Sequence, residues 1–155
     1  MSLVARKRLA KEVKELAQTS LSDGTLSLSP DSDSDNLENV LIDIRIVGNP
    51  LYDDSVTYRI SYKPDSEYPF TAPAVTFVGP EIPMHPHIYS NGHICLNILY
   101  DGWSPVQTMT SVALSLQSMI LQNTVLERPP GDEQYCSRAP ANPRDSRWVF
   151  HDDNC

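Results

Sequence analysis

Apolar and polar positions follow two rhythms along this chain. From Val4 to Gln18, Val4, Leu9, Val13 and Leu16, with Ala17 beside the last, return every three to five positions with charged residues between them, the spacing of an amphipathic helix. The rhythm then shortens to two. Val40, Ile42, Ile44 and Ile46 alternate with Leu41, Asp43, Arg45 and Val47 until Gly48-Asn49-Pro50 breaks the run. Val56, Tyr58, Ile60 and Tyr62 share one face of the next run, with Thr57, Arg59 and Ser61 on the other, and Pro64 ends it. Ala74 to Val78 is a further strand after "EYPFTAP". A short strand over Thr25 to Ser29 precedes them all, behind a turn at Ser22-Asp23-Gly24, and Asp31 to Asn36 reads as a polar acidic loop. Short breakers between such runs predict antiparallel pairing.

From Gly79 to Pro105 the periodicity fades. A stretch this long without regular structure is usually functional or disordered, and Ile94, Leu96, Ile98 and Trp103 argue against disorder. The helical period resumes over Gln107 to Gln122 through Met109, Val112, Ala113, Leu116, Met119 and Ile120. Ser104 is the expected N-cap, with Pro105 at the first helical position. After Pro129-Pro130-Gly131 a short helix is expected around Asp132 to Ala139, followed by an irregular tail. The pattern predicts an α+β chain: N-terminal helix, antiparallel four-stranded meander, long loop, central helix and a short helical or irregular tail. All of residues 1–155 are expected to form a single domain.

Composition narrows the classes. At 155 residues the chain is long enough to bury a sizeable core. The N-terminus lacks the apolar segment of a secretory signal, and no apolar run reaches the roughly 18 residues of a membrane span, so no membrane partner is expected. A net charge of −8 argues against nucleic acid, whose binding leans on cationic contacts. Cys95, Cys136 and Cys155 are an odd count, expected to be reduced thiols in a cytoplasmic or nuclear protein. Five of the twelve basic residues, Arg6, Lys7, Arg8, Lys11 and Lys14, fall in the first helix. That patch is either a solvated face or a dock for an acidic partner.

The candidate chemistry lies in "HPHIYSNGHICLNIL". Three histidines, His85, His87 and His93, sit within ten residues of Cys95. As a zinc set their spacing is poor, because structural sites pair ligands around a tight knuckle. A protease-like Cys–His pair would need an orienting third group. A small buried cysteine inside "ICLNIL" is the plain alternative.

The surroundings change that balance. "YPFTAP" (Tyr68 to Pro73), His85-Pro86, "NGHICL" (Asn91 to Leu96), "WSP" eight residues after the cysteine (Trp103 to Pro105) and the helix "SVALSLQSMI" together resemble the ubiquitin-conjugating enzyme family over nearly the whole chain. "HPHIYSNGHICL" and the ending "W-x-x-HDD-x-C" resemble its W-type members. The resemblance implies the ubiquitin-conjugating fold and a thiol, Cys95, that accepts ubiquitin from an activating enzyme and passes it to an amine. It implies no metal and no cofactor, since the ATP is used by the activating enzyme. It implies ubiquitin, the activating enzyme and RING-type or U-box ligases as partners.

Site roles follow from the same resemblance. His85 is expected to hold the loop through side-chain hydrogen bonds, and Pro86 to fix its turn. His87 stands where most of the family has asparagine, whose amide supports the loop or the oxyanion; imidazole can also donate there. Asn97 stands where many members have an aspartate close to the incoming amine. His93 is read as a packing residue, with a role facing the thioester as the alternative. The tail residues Trp148, His151, Asp152 and Asp153 could border the site that admits a peptide N-terminus, or form a solvated tail with one packed tryptophan. The W-type tail, here about 140–155, is implied to be mobile. Lys7, Arg8 and Lys11 on the helix, Phe70, and Ser104, Pro105 and Val106 occupy the family's docking positions. Cys136 and Cys155 are read as ordinary thiols.

Both departures point to one acceptor. A lysine amine of pKa about 10.4 is neutral in roughly one molecule per thousand at about pH 7.4, whereas an α-amine near 7.8 is neutral in roughly a third. A site with weakened amine activation favours the latter, and the W-type resemblance likewise implies transfer to flexible substrate N-termini. An ordinary lysine-directed enzyme, a ubiquitin-like cargo and a non-catalytic ubiquitin-binding variant are the alternatives.

Overall fold

The structure is a computed structural model and describes residues 1–18 and 22–148. Helix α1 spans Leu3–Gln18. Strands β1 (Leu26–Leu28), β2 (Val40–Arg45), β3 (Thr57–Lys63) and β4 (Ala74–Val78) follow, then helices α2 (Met109–Leu121) and α3 (Asp132–Arg138). The sheet is an antiparallel meander in the order β1-β2-β3-β4. The register pairs Ile42 with Ile60 and Ile44 with Tyr58, so the inward rows of neighbouring strands coincide.

One face of the sheet carries the core. Leu26, Val40, Ile42, Ile44, Ile60, Tyr62, Val75 and Phe77 are buried there. Leu9 and Leu16 of α1 and Met109, Val112, Leu116 and Ile120 of α2 close the same core. Helix α1 packs on α2 and β1, and α2 on β2. Burying each such side chain contributes about 1.5–3 kcal/mol.

The strands fall where the two-residue rhythm puts them, with ends that differ by at most two residues; β3 begins at Thr57 and runs one residue past the expected Tyr62, to Lys63. Strand β2 stops at Arg45, before the expected Val47, because its last ladder partner is Thr57 at the start of β3. Ile46 is still fully buried beyond the ladder. Helix α1 turns differently from the expected stripe. Val4 is 73% exposed, and the buried positions are Ala5, Leu9, Glu12 and Leu16. A carboxylate therefore occupies an inward position that hydrophobicity alone would exclude.

Helix α2 begins later than the sequence suggests, and Ser104 is not its cap. Thr108 is: its hydroxyl accepts the Ser111 N–H at 3.1 Å, and the Ser111 hydroxyl accepts the Thr108 N–H at 2.8 Å. This reciprocal capping box satisfies two end donors at once, with serine in the place usually held by Glu or Gln. Ser104 closes a separate turn upstream, accepting the Gln107 N–H through its carbonyl.

Candidate active site

The stretch between β4 and α2 is ordered by a few contacts rather than by regular elements. The Gly92 carbonyl accepts the Phe77 N–H at 2.9 Å, docking the loop on the edge of β4. Gly92 has φ +91°, and a Cβ there would overlap the Phe77 carbonyl oxygen. Both the turn and the close approach require glycine. Single bridges join His85 to Ile88, Ile88 to Ile94 and Thr76 to His93. Ile88, Ile94 and Leu99 are fully buried and pin the loop to the core.

His85 sits at the root. Its Nδ1 accepts the His87 N–H at 2.9 Å, and its Nε2 lies 3.2 Å from the Met119 carbonyl of α2. The neutral tautomer with hydrogen on Nε2 satisfies both. The turn through Pro86 is thus fastened to itself and to the central helix. The His87 carbonyl accepts the Cys95 N–H at 2.8 Å, setting the turn directly against the cysteine segment. The His87 ring is buried edge-on to His85, with 5.1 Å between centroids.

Cys95 is fully buried, at 0% exposure. Burial pushes the Tyr100 and Tyr135 hydroxyl pKa values up, and Cys95 is near enough to both to add to the rise. Tyr100 donates to the Ile94 carbonyl at 2.6 Å, next to the cysteine. Asn97 opens the turn Asn97–Leu99 and is exposed. Its carbonyl accepts the Gly102 N–H at 3.0 Å, and Gly102 has no room for a Cβ against the Asn97 amide.

His93 is buried away from solvent. Its Nδ1 lies 2.7 Å from the Tyr135 hydroxyl, which lies 2.8 Å from the Ser146 hydroxyl. Burial pushes its imidazole below the ordinary 6.5, against a smaller opposing hydrogen bond to the Ala141 backbone. It is neutral at neutral pH and ties the loop to α3. Both nitrogens of His85 are thereby engaged, and among the described residues no cluster of metal-ligating side chains forms.

Trp148 packs into an aromatic cluster, with ring centroids 4.7 Å from Tyr100, 5.5 Å from Tyr135 and 5.9 Å from Tyr89. Its indole N–H donates to the Pro143 carbonyl at 2.9 Å. The tail through Trp148 is therefore folded back over the active-site loop. His151, Asp152, Asp153 and Cys155 lie outside the described residues.

A cleft of about 740 Å³ adjoins the loop, lined by His85, Pro86, His87 and Leu96 on one side and by Ser118, Gln122 and Glu127 among others on the side of α2. Glu127 is the one carboxylate among its described lining residues. Nothing in the local pattern around Glu127 signals which face it lines.

The docking positions gather at the far end of α1. Phe70 is 78% and Val106 81% exposed, and Phe70 shares a second cleft with Val4, Arg8, Tyr68 and Pro105. The Trp103 indole donates to the Pro69 carbonyl at 2.8 Å and so joins the two loops. Ser104 is partly exposed and Pro105 exposed beside them. Lys7 and Lys11 face solvent. Arg8 does not stand with them as an open docking charge. It donates to the Gln107 carbonyl at 2.7 Å, pairs with Glu12 at 3.6 Å and stacks its guanidinium over Tyr68 at 5.6 Å.

Comparison with known proteins agrees with this architecture. The sequence model of the ubiquitin-conjugating enzyme family matches residues 8–145. The chain is 40% identical to ubiquitin-conjugating enzyme E2 W of Caenorhabditis elegans over 99% of both chains. It is 44% identical to a probable ubiquitin-conjugating enzyme E2 W of Dictyostelium discoideum over 79% of this chain and 81% of that one. The crystal structure of a ubiquitin-conjugating enzyme from Agrocybe aegerita superposes with a TM-score of 0.78 at 39% identity, covering 92% of this chain and 99% of that one. The chain therefore belongs to the ubiquitin-conjugating enzyme family, the thioester-forming transferases that work with ubiquitin, an activating enzyme and a ligase. Within that family its kinship is with the W-type members.

Proposed function

We propose that Cys95 receives ubiquitin as a thioester and delivers it to a protein amine, with the α-amine of a flexible substrate N-terminus as preferred acceptor. In loading, the Cys95 thiolate attacks the activating enzyme's thioester carbonyl, a new C–S bond forms and the activating enzyme's thiolate leaves. In transfer, an amine nitrogen bonds that carbonyl carbon, the C–S bond to Cys95 breaks, the sulfur leaves with the electron pair and the amine proton passes to solvent. This chain's side chains supply position and hydrogen bonds, and no metal or cofactor of its own enters either step.

The observation that carries the acceptor preference is Asn97. It is an amide on the exposed side of the cysteine turn, where a carboxylate would help a lysine lose its proton. The amine that is already deprotonated near neutral pH then has the advantage. The relatives named E2 W support the W-type kinship, and it is the W-type resemblance that implies this acceptor.

The remaining expectations form part of this proposal. The chain acts as one catalytic domain in the cytoplasm or nucleus. RING-type or U-box ligases dock on Phe70, Ser104, Pro105 and Val106, and the activating enzyme meets Lys7 and Lys11, with Arg8 bracing the surface. The test is a charge-and-discharge assay. Enzyme loaded with ubiquitin is mixed with free lysine, or with a lysine-free peptide bearing a free, flexible N-terminus. A reductant-sensitive adduct lost in Cys95→Ser, discharging to the peptide and not to lysine, is expected. Equal discharge to lysine would make the enzyme an ordinary lysine-directed one, and no adduct at all would return the non-catalytic reading.

A further inference from the structure

Arg128 follows the cleft residue Glu127 and turns its guanidinium under the active-site loop. Nη1 donates to the Pro83 carbonyl at 2.8 Å and to the Ile88 carbonyl at 3.1 Å, and Nη2 donates to the Ile82 carbonyl at 3.1 Å. Two of these carbonyls precede His85-Pro86-His87 and the third follows it. A rigid, planar fork of donors thus fastens both limbs of the loop to one side chain. The Met84 carbonyl between them takes the Tyr52 hydroxyl at 2.6 Å, and the Asn123 amide holds that hydroxyl at 2.7 Å. The loop has only single bridges where a strand would have a ladder, so these side chains stand in for one.

The geometry points to Arg128 as a positioning residue for transfer from Cys95 to the acceptor amine. The fork fixes the turn on which His87 is carried, and His87 lies against Cys95 through the carbonyl bond already described. When the amine attacks, the thioester carbonyl becomes tetrahedral and its oxygen gains negative charge. Stabilising that charge depends steeply on where the donor stands, and a displacement of about 1 Å can cost on the order of a hundredfold. Loading is less demanding, because its nucleophile is a thiolate, intrinsically far stronger than an amine, and its leaving group is another thiolate. Arg128 therefore acts on the second step more than the first. Lysine replaces it only in part: an ammonium is a compact point charge and does not span three carbonyls set on two limbs.

This inference rests on Cys95 as the ubiquitin-carrying thiol, and the experiment separates the two. Wild type is loaded first, and the adduct is checked against Cys95→Ser. Single-turnover discharge to saturating N-terminal peptide is then measured for wild type, Arg128→Met and Arg128→Lys. The expected result is a limiting discharge rate about tenfold or more below wild type in R128M. Loading should stay within about twofold and the half-saturating peptide concentration should not change. R128K should fall between the two. Millimolar guanidinium, but not sodium chloride of equal ionic strength, should restore part of the R128M rate, which a merely unfolded loop would not allow. Discharge by R128M at the wild-type rate overturns the inference, as does parallel loss of loading and discharge without guanidinium rescue. Failure of wild type to load on Cys95 overturns the underlying reading instead, and is seen before any Arg128 variant is compared.

Discussion

The Glu12 carboxylate of α1 accepts the backbone N–H of Met109, the first residue of α2, at 2.9 Å. The same carboxylate takes the Tyr68 hydroxyl at 2.8 Å, and Tyr68 lies 2.9 Å from the Tyr62 hydroxyl. One side chain thus joins the first helix, the start of the central helix and the loop that presents Phe70. Negative charge at a helix N-terminus is favourable, yet burial raises the Glu12 pKa above its ordinary 4.5, outweighing the lowering by Met109, Tyr68 and Arg8.

That balance fixes a sign. A carboxyl whose folded pKa is raised contributes stability that is fully present below the unfolded value, and the contribution is lost as pH rises through the folded value. Glu12→Gln keeps an oxygen for Met109 and Tyr68 and cannot titrate. The melting temperature of wild type relative to E12Q should therefore fall as pH is raised from about 4 to about 7. A difference that grows more favourable over that range would contradict the assignment. Glu12→Ala leaves the Met109 N–H and the Tyr68 hydroxyl without this acceptor, and should cost about 1–3 kcal/mol in urea unfolding.

Gly92 gives a second prediction. The chain reverses there at positive φ with no space for a side chain against Phe77. Gly92→Ala should destabilise by about 1–3 kcal/mol from backbone strain, with the Phe77 contact adding to it. Hydrogen exchange should quicken at the Phe77 amide, whose acceptor is the Gly92 carbonyl. Gly48→Ala is the control: that residue also has positive φ, +95°, but a Cβ there meets nothing within 4 Å. Equal losses at both would mean that close approach contributes nothing.

The meander was legible because alternation in "VLIDIRIV" and "VTYRISY" is an immediate consequence of one buried face. The central helix was legible for the same kind of reason, but its start was not. Ser104-Pro105 carries a familiar cap signal, whereas the working cap is Thr108 with Ser111, and only the position of Met109 over Glu12 shows why. The cysteine stretch was legible as chemistry through the company it keeps. What holds it was not, since Tyr52, Arg128 and Tyr135 act on the loop from 32 to 46 residues away. Such bonds have no period and leave no local trace. Arg8 shows the converse: its place in a basic run suggested an open charge, and its bond to Gln107, 99 residues on, makes it a brace.

Trp148 yields a prediction about access. The thiol of Cys95 is buried, and Tyr100 and Tyr135 near it are both covered by the Trp148 ring. Loss of that ring should loosen the aromatic cover. Trp148→Ala should raise the rate at which a small alkylating agent modifies Cys95, followed by mass spectrometry of the Cys95 peptide. Tyr89→Ala, which removes another wall of the same cluster, should act in the same direction. An unchanged rate in W148A would show that the tryptophan packs beside the thiol without shielding it.

Asn97 gives the sharpest test of acceptor choice, because the side chain is exposed and changing it disturbs little packing. Its amide nitrogen faces Gly102, where the backbone leaves just enough room, and aspartate is nearly the same size. Asn97→Asp places an anion on the exposed side of the cysteine turn. If weak amine activation is what excludes lysine, N97D should raise discharge to free lysine by on the order of tenfold or more, within the usual reach of a positioned base. Discharge to an N-terminal peptide should change far less, since a large share of that amine is already neutral. The pH dependence separates activation from mere attraction. A carboxylate that takes the proton lifts the lysine rate most near neutral pH, and its advantage shrinks as the solution approaches the lysine pKa. A carboxylate that only attracts the ammonium lowers the half-saturating lysine concentration and leaves the limiting rate unchanged. If N97D left both quantities as in wild type, acceptor choice would have to reside elsewhere, and His87→Asn would be the next substitution to measure.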